Sequence, residues 1–237
     1  MKFNIGGFTH KGTGIYTSNE DNMLINSSQL NDGELLLTDQ DSCICFVSDG
    51  VGGNIAGEFA SAFVLSKIKE LTIEQLKDLN NILYKVNENL LEISINDVSR
   101  KGCACTLSGM IAVDDFVDFI HIGDSEIWLL RNDMLLKISK DEVVDEDNVH
   151  SPLTNYFGGP QNHLHINTDW VKPELFINDV FLVCSDGLFK SLNVKLVKPI
   201  LAAKINIREK VTKLKENCLS LGSEDNITAV VIEFISY

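Results

Sequence analysis

Phe46-Val47-Ser48-Asp49-Gly50-Val51-Gly52-Gly53-Asn54-Ile55-Ala56-Gly57-Glu58 is the stretch from which the rest of the chain is read. The residues before it, Cys43-Ile44-Cys45, run with Phe46-Val47 as a buried strand that stops at an acidic residue followed by three glycines in four positions. A carboxylate is thereby delivered to the tip of a strand. The glycines let the backbone turn sharply and expose Gly50 to whatever is bound beside Asp49. From Glu58 the pattern turns helical, with Phe59, Phe63, Val64, Ile68 and Leu71 at helix spacing. Strand, acidic glycine loop and helix together have the geometry of a site, although this segment alone is equally an ordinary strand-to-helix turn.

Outward from it, the same punctuation recurs. Asn19-Glu20-Asp21-Asn22 precedes the strand-like run Met23-Leu24-Ile25, and a strand from Phe116 to Ile122 ends in Gly123-Asp124-Ser125. Val180 to Cys184 runs into Ser185-Asp186-Gly187-Leu188, and Glu224-Asp225-Asn226 leads into a final strand from Ile227 to Ile235. Aspartate and glycine are common turn residues, so each of these means little by itself. Jointly, Asp21, Asp49, Asp124, Asp186 and Asp225 stand at the ends of apolar strands, where converging carboxylates repel unless cations bind. Mg²⁺ and Mn²⁺ suit carboxylates, a backbone carbonyl and water. Two such ions about 4 Å apart hold a bridging hydroxide for in-line attack on phosphorus. These residue types predict a metallohydrolase.

Between these motifs, a second helix is expected from about Ile73 to Asn96, with Leu76, Leu79, Leu83, Val86, Leu90 and Ile93 as its core stripe. Cys103 to Val113 pairs with Phe116 to Ile122 as a hairpin through Asp114-Asp115, and Glu126 to Leu130 continues before a turn at Arg131-Asn132-Asp133. From Ser139 to about His165 periodicity fails, which inside a compact domain marks a functional loop. Ile207, Val211, Leu214, Cys218 and Leu221 mark the last helix, capped by Asn206 and ended by Gly222. With no repeat and no linker, the 237 residues are read as one domain.

The formal charge of -14 argues against nucleic acid as a partner, since phosphate backbones bind Lys/Arg surfaces. An acidic protein that handles phosphate needs metal cations to do so. No segment approaches the roughly 18 apolar residues of a membrane span and the start lacks a signal-peptide run, so a cytoplasmic protein is expected. Cys43, Cys45, Cys103, Cys105, Cys184 and Cys218 are read as reduced core thiols. None has an arginine six positions later, as a cysteine-nucleophile phosphatase requires, and no Cys-x-x-Cys spacing suggests zinc. His163 and His165 are read as surface residues and His121 as a hydrogen-bonded structural one.

Asn19-Glu20-Asp21, Asp49-Gly50-Val51-Gly52-Gly53 with Gly57-Glu58, Gly123-Asp124-Ser125, Cys184-Ser185-Asp186-Gly187-Leu188 and Asp225-Asn226-Ile227-Thr228 resemble, in order, the motifs of the metal-dependent (type 2C) serine/threonine protein phosphatases. The absence of a histidine after Asp49-Gly50 is more similar to bacterial members. The resemblance implies an α+β fold, a central β sandwich of two antiparallel sheets flanked by helices on both sides, with the site at one end. It implies that Asp49 bridges two Mg²⁺ or Mn²⁺ ions, that the Gly50 carbonyl binds one, and that Asp186 and Asp225 complete the other. Glu20 and Asp21 hold metal-bound waters, Asp124 joins Asp186 at a weaker third ion, and segment 139–165 matches the flap. The implied substrates are phosphorylated proteins, products of a serine/threonine kinase; the alternative is a catalytically weak relative serving as a partner-binding or regulatory module.

Three departures stand out. Tyr16 occupies the position of an arginine that grips the substrate phosphate in the family, a charge-assisted contact of about 1.5–3 kcal/mol; Lys11 is a candidate to reach the phosphate instead. Val51 cannot act as the general acid that a histidine supplies in some members. Glu126 replaces an arginine often found after Gly-Asp-Ser, and the flap lacks the usual Thr/Asp-His pattern.

Overall fold

A computed structural model describes residues 1–15, 18–51, 55–145, 148, 151–159, 164–166 and 172–237. The chain begins with strands β1 (Lys2–His10), β2 (Asn22–Ile25), β3 (Ser28–Leu30), β4 (Gly33–Gln40), β5 (Cys43–Ser48) and β6 (Gly50–Val51). Helices α1 (Ile55–Lys69), α2 (Ile73–Leu76) and α3 (Leu79–Asn96) follow. Then come β7 (Ala104–Cys105), β8 (Leu107–Val113), β9 (Phe116–Ile122), β10 (Glu126–Arg131), β11 (Met134–Lys137), β12 (Phe157–Gly158) and β13 (Val180–Cys184). Helices α4 (Asp186–Ser191), α5 (Val194–Ala202) and α6 (Ile207–Ser220) lead to β14 (Ile227–Ser236).

Two antiparallel sheets result, one of six strands in the order β11-β10-β13-β14-β1-β4 and one of five in the order β3-β2-β5-β8-β9, with a small third sheet β12-β7-β6 beside them. Strand alternation assigns the layers. In β5, Cys43, Cys45 and Val47 point into the core between the sheets while Phe46 points to the opposite face, against α1 and α3. In β14, Val230, Ile232 and Phe234 enter the same central core, whereas Ile227, Ala229 and Val231 meet α4, α5 and α6. Strands covered on both faces read as continuous apolar runs, which is why β5, β13 and β14 were recognisable. The expected sandwich flanked by helices on both sides is the observed architecture.

Several boundaries moved. Helix α1 starts at Ile55, ahead of Glu58. The single helix expected from Ile73 is two: Thr72 and Gln75 form a capping box that opens α2, and the chain re-enters as α3 at Leu79. Thr106 interrupts the strand expected from Cys103. The last helix keeps its expected cap, a reciprocal Asn206–Glu209 box, and Gly222 at φ +75° follows its end. All six cysteines are buried and free, with Cys43 and Cys45 on one strand face and their sulfurs 3.4 Å apart.

Candidate active site

Antiparallel register gathers the acidic strand ends. In the five-stranded sheet, Asn22 pairs with Ser48, Val47 with Ser108, and Leu107 with Ile122, so Asp21, Asp49 and Asp124 leave the same edge. In the six-stranded sheet, Glu126 pairs with Cys184 and Cys184 with Ala229, placing Asp186 and Asp225 at the matching edge. Five carboxylates from five separate segments therefore share one end of the sandwich.

Small polar side chains bind the two edges together. Ser185 Oγ donates to Asp21 Oδ2 at 2.7 Å and accepts the Thr228 N–H at 3.0 Å, so one hydroxyl joins the two sheets. Asn226 Oδ1 accepts the Glu20 N–H at 2.8 Å, and Asn226 Nδ2 donates to the Lys11 carbonyl at 3.0 Å. The Asp49 N–H donates to Thr106 Oγ1 at 2.9 Å, which in turn meets Ser125 Oγ at 2.6 Å. A Cβ on Gly50 would lie 2.4 Å from the Gly57 backbone, and one on Gly57 would lie 2.3 Å from Glu20 Oε2. Only glycine at both positions lets α1 press against the Asp49 loop with the Glu20 carboxylate beside it.

Electrostatics mark the cluster as strained by its own charge. Lost hydration, followed by the charges of Asp21, Asp186, Asp124 and Asp225, pushes the Asp49 carboxyl well above the ordinary carboxylate range. Asp49 keeps some solvent contact, so the neighbouring charges are the part of that cause which a bound cation removes. Burial raises Asp21 to about 7 against the hydrogen bonds of Ser185 and Thr228. Burial and then Asp186 raise Asp124 to about 7, and burial raises Asp186 despite the nearby Lys190 ammonium.

The clustered donors are carboxylate oxygens, which suit hard divalent cations. Asp21 Oδ1 is buried with no hydrogen-bond partner, an oxygen aimed at something other than protein. The residues therefore fit the ions. Among the described residues, no group of three His, Cys, Asp or Glu side chains is arranged to hold a metal ion as it stands. Asp186 and Asp225 are instead drawn together by Lys190, whose Nζ lies 2.6 Å from an oxygen of each.

A cleft of about 1160 Å³ opens here, lined by Asp124, Asp186, Asp225, Lys190, Phe189 and Asp141. Its outer wall is the irregular segment after β11. Glu142 holds that segment down twice, its N–H donating to the Gly123 carbonyl and its Oε2 accepting the Gly123 N–H, both at 2.9 Å. Two acidic residues of this segment are engaged: Asp141 pairs with Lys137, and Glu142 also accepts from Asn155 Nδ2 at 2.8 Å. Glu126 is likewise internal, bound by Trp128 Nε1 and Lys137 at 2.6 Å each. His121 has the structural role expected of it, meeting Ser108 Oγ at 2.9 Å and the Lys140 carbonyl at 2.7 Å, and His165 is exposed. Tyr16, Gly52, Gly53, Glu146, Asp147 and His163 lie outside the described residues, and Lys11 is exposed.

Ser185, Thr106, Asn226 and Lys190 escaped the sequence reading as site residues. Ser185 and Asn226 adjoin the acidic motifs, but nothing in composition says that their side chains join the sheets. Lys190 carried a usable signal, standing four residues after Asp186 on what became α4.

A β sandwich between two helical layers, with clustered carboxylates at one end and an open cleft above them, is the form of the metal-dependent protein phosphatases. The family model described as protein phosphatase 2C matches residues 24–218. A serine/threonine phosphatase stp of Listeria innocua is 27% identical over 213 residues, covering 80% of this chain and 84% of its own. The serine/threonine protein phosphatase PstP of Mycobacterium tuberculosis is 27% identical over 209 residues, covering 81% of this chain and 40% of its own. Among solved structures, PppA of Pseudomonas aeruginosa superposes with a TM-score of 0.78 at 24% identity, covering 98% of both chains. The chain belongs to the protein phosphatase 2C family, and as an enzyme it is a protein-serine/threonine phosphatase of the bacterial kind.

Proposed function

We propose that the chain hydrolyses phosphoserine and phosphothreonine in proteins using two Mg²⁺ or Mn²⁺ ions, with a weaker third. Asp49, the Gly50 carbonyl, Asp186 and Asp225 would hold the two ions directly, Glu20 and Asp21 would hold them through water, and Asp124 with Asp186 would hold the weaker third. The ions, when bound, supply the charge that neutralises the phosphate and the activated water for in-line attack. Ser185 holds Asp21 so that Oδ1 faces inward to orient water, and Ser125 and Thr106 fix the backbone from which Asp49 projects. Val51 offers no proton, so the leaving group is protonated from solvent in the cleft.

The observation that carries this reading is the convergence of five carboxylates from five segments, each of Asp21, Asp49, Asp124 and Asp186 raised by burial and by acidic neighbours. Substrates are phosphoproteins, the products of a serine/threonine kinase acting in the same signalling pathway. We place the protein in the cytoplasm, as one domain with segment 139–165 as the flap; among the described residues no helix is long and apolar enough to cross a membrane. No observation favours a non-catalytic binding module. The test is hydrolysis of a phosphothreonine peptide in EDTA, Mg²⁺ or Mn²⁺, alongside Asp49→Ala and Asp186→Ala. Turnover is expected only with metal and to fall at least a hundred-fold in both variants; full activity in either refutes the assignment.

A further inference from the structure

Lys190 is a cation inside the acidic cluster. It follows Asp186 by four residues on α4, and its Nζ touches Asp186 Oδ2 and Asp225 Oδ2 at 2.6 Å each. Those are the two carboxylates assigned above to one ion, and the inference rests on that assignment. The other Asp225 oxygen, Oδ1, accepts the Asn226 N–H at 2.8 Å. Lys190 thus takes the Asp225 oxygen that does not accept this backbone hydrogen bond.

We infer that Lys190 is a built-in competitor of the metal: a monovalent occupant that bridges Asp186 and Asp225 and must withdraw before a divalent ion can take both. Two effects combine. The ammonium blocks the oxygens a hard cation needs, and its charge repels a second cation nearby. Withdrawal requires only the side chain to move. Ser191 is fixed to the Gly187 carbonyl at 3.0 Å and to Ser223 Oγ at 2.5 Å, which anchors the end of α4. The lysine stem is flexible, 29% of its side-chain surface is exposed, and it lines the wide cleft into which it would swing. With no cation bound, the ammonium would offset the repulsion between the two carboxylates it touches.

The experiment is calorimetric titration of the EDTA-stripped full chain with Mn²⁺, with thermal midpoints of the metal-free proteins measured in parallel. Lys190→Gln is expected to bind Mn²⁺ at least ten-fold more tightly than wild type, about 1.4 kcal/mol, and to have a lower metal-free midpoint. Lys190→Arg, which keeps the charge, is expected to stay near wild type. Lys190→Met, which keeps the aliphatic stem, replaces Lys190→Gln if the latter does not fold. Unchanged or weaker Mn²⁺ binding in the neutral variant, while Asp186→Asn abolishes it, overturns the role of Lys190 alone. Absence of Mn²⁺ binding in all of these proteins overturns the metal-site assignment and the inference together.

Discussion

Asp21 has two oxygens with different fates. Oδ2 takes a hydroxyl hydrogen from Ser185, and Oδ1 is sealed from water without a partner. A carboxyl in that position prefers its proton, which is why its pKa is raised to about 7. The consequence for stability has a definite sign. The folded state holds a proton on Asp21 that the unfolded chain, with a carboxyl pKa of about 4, has released, so stability is greatest below about pH 4 and falls as pH rises toward 7. In EDTA the protein is therefore expected to lose on the order of 3 kcal/mol from this group across that window. His121 pulls the other way, since burial depresses its pKa and folding then gains as pH rises toward the ordinary histidine value of about 6.5. Comparing Asp21→Asn with wild type isolates the carboxylate: the variant's midpoint should be less sensitive to pH between about 5 and 7, and an unchanged pH dependence would contradict the assignment.

At the scale of elements, the segment that follows β11 is held by side chains in place of ladder hydrogen bonds. Asn155 is its centre, donating to Glu142 Oε2 at 2.8 Å and the His165 carbonyl at 2.6 Å while accepting the His165 N–H at 3.0 Å. Its removal leaves buried groups unpaired, at about 1–3 kcal/mol. Asn155→Ala should become more readily cut by chymotrypsin within residues 139–165, which hold Leu153, Tyr156 and Phe157, while its sheets stay intact by circular dichroism. The sequence told such elements apart unevenly. Acid-glycine ends after apolar runs were legible, because a strand that needs burial on both faces announces itself and its stop. Strand β1 was hidden, since its middle is Gly6-Gly7, where a Cβ would meet Leu36 and Val211 at 2.8 Å or Ile25 and Met23 at 3.0 Å. Close packing there demands glycine, the residue that local propensity counts against a strand. Helix α5 was hidden by its internal Pro199, and the break between α2 and α3 by an apolar stripe that runs on across it. The clustered acidic residues were legible for a similar reason, each lying beside a strand end. The lysine among them was legible only in its i+4 spacing from Asp186; its contact with Asp225, 35 residues further along the chain, was not.

For the whole molecule the governing quantity is charge. A net -14 spread over the surface, with an acidic cleft, attracts cationic partners and repels anionic ones over about one Debye length. Phosphopeptides flanked by lysine and arginine should show a kcat/KM that falls about ten-fold between about 20 and 200 mM salt, while acid-flanked peptides gain or stay level. Equal salt responses for the two would show that Asp141 and Glu142, already paired internally, leave too little field at the cleft.

Strand β14 lies between β13 and β1, in the middle of the six-stranded sheet, and Asp225 immediately precedes it. Among the described residues it is also the strand furthest along the chain. A growing chain on the ribosome can pair β2, β5, β8 and β9 while β1 and β4 wait with β10 and β13 on the far side of a gap. Until residues 225–236 emerge, neither the second sheet nor the carboxylate of Asp225 is in place. On the assignment of Asp225 proposed above, a nascent or prematurely terminated chain is expected to be catalytically silent until its synthesis has passed that strand.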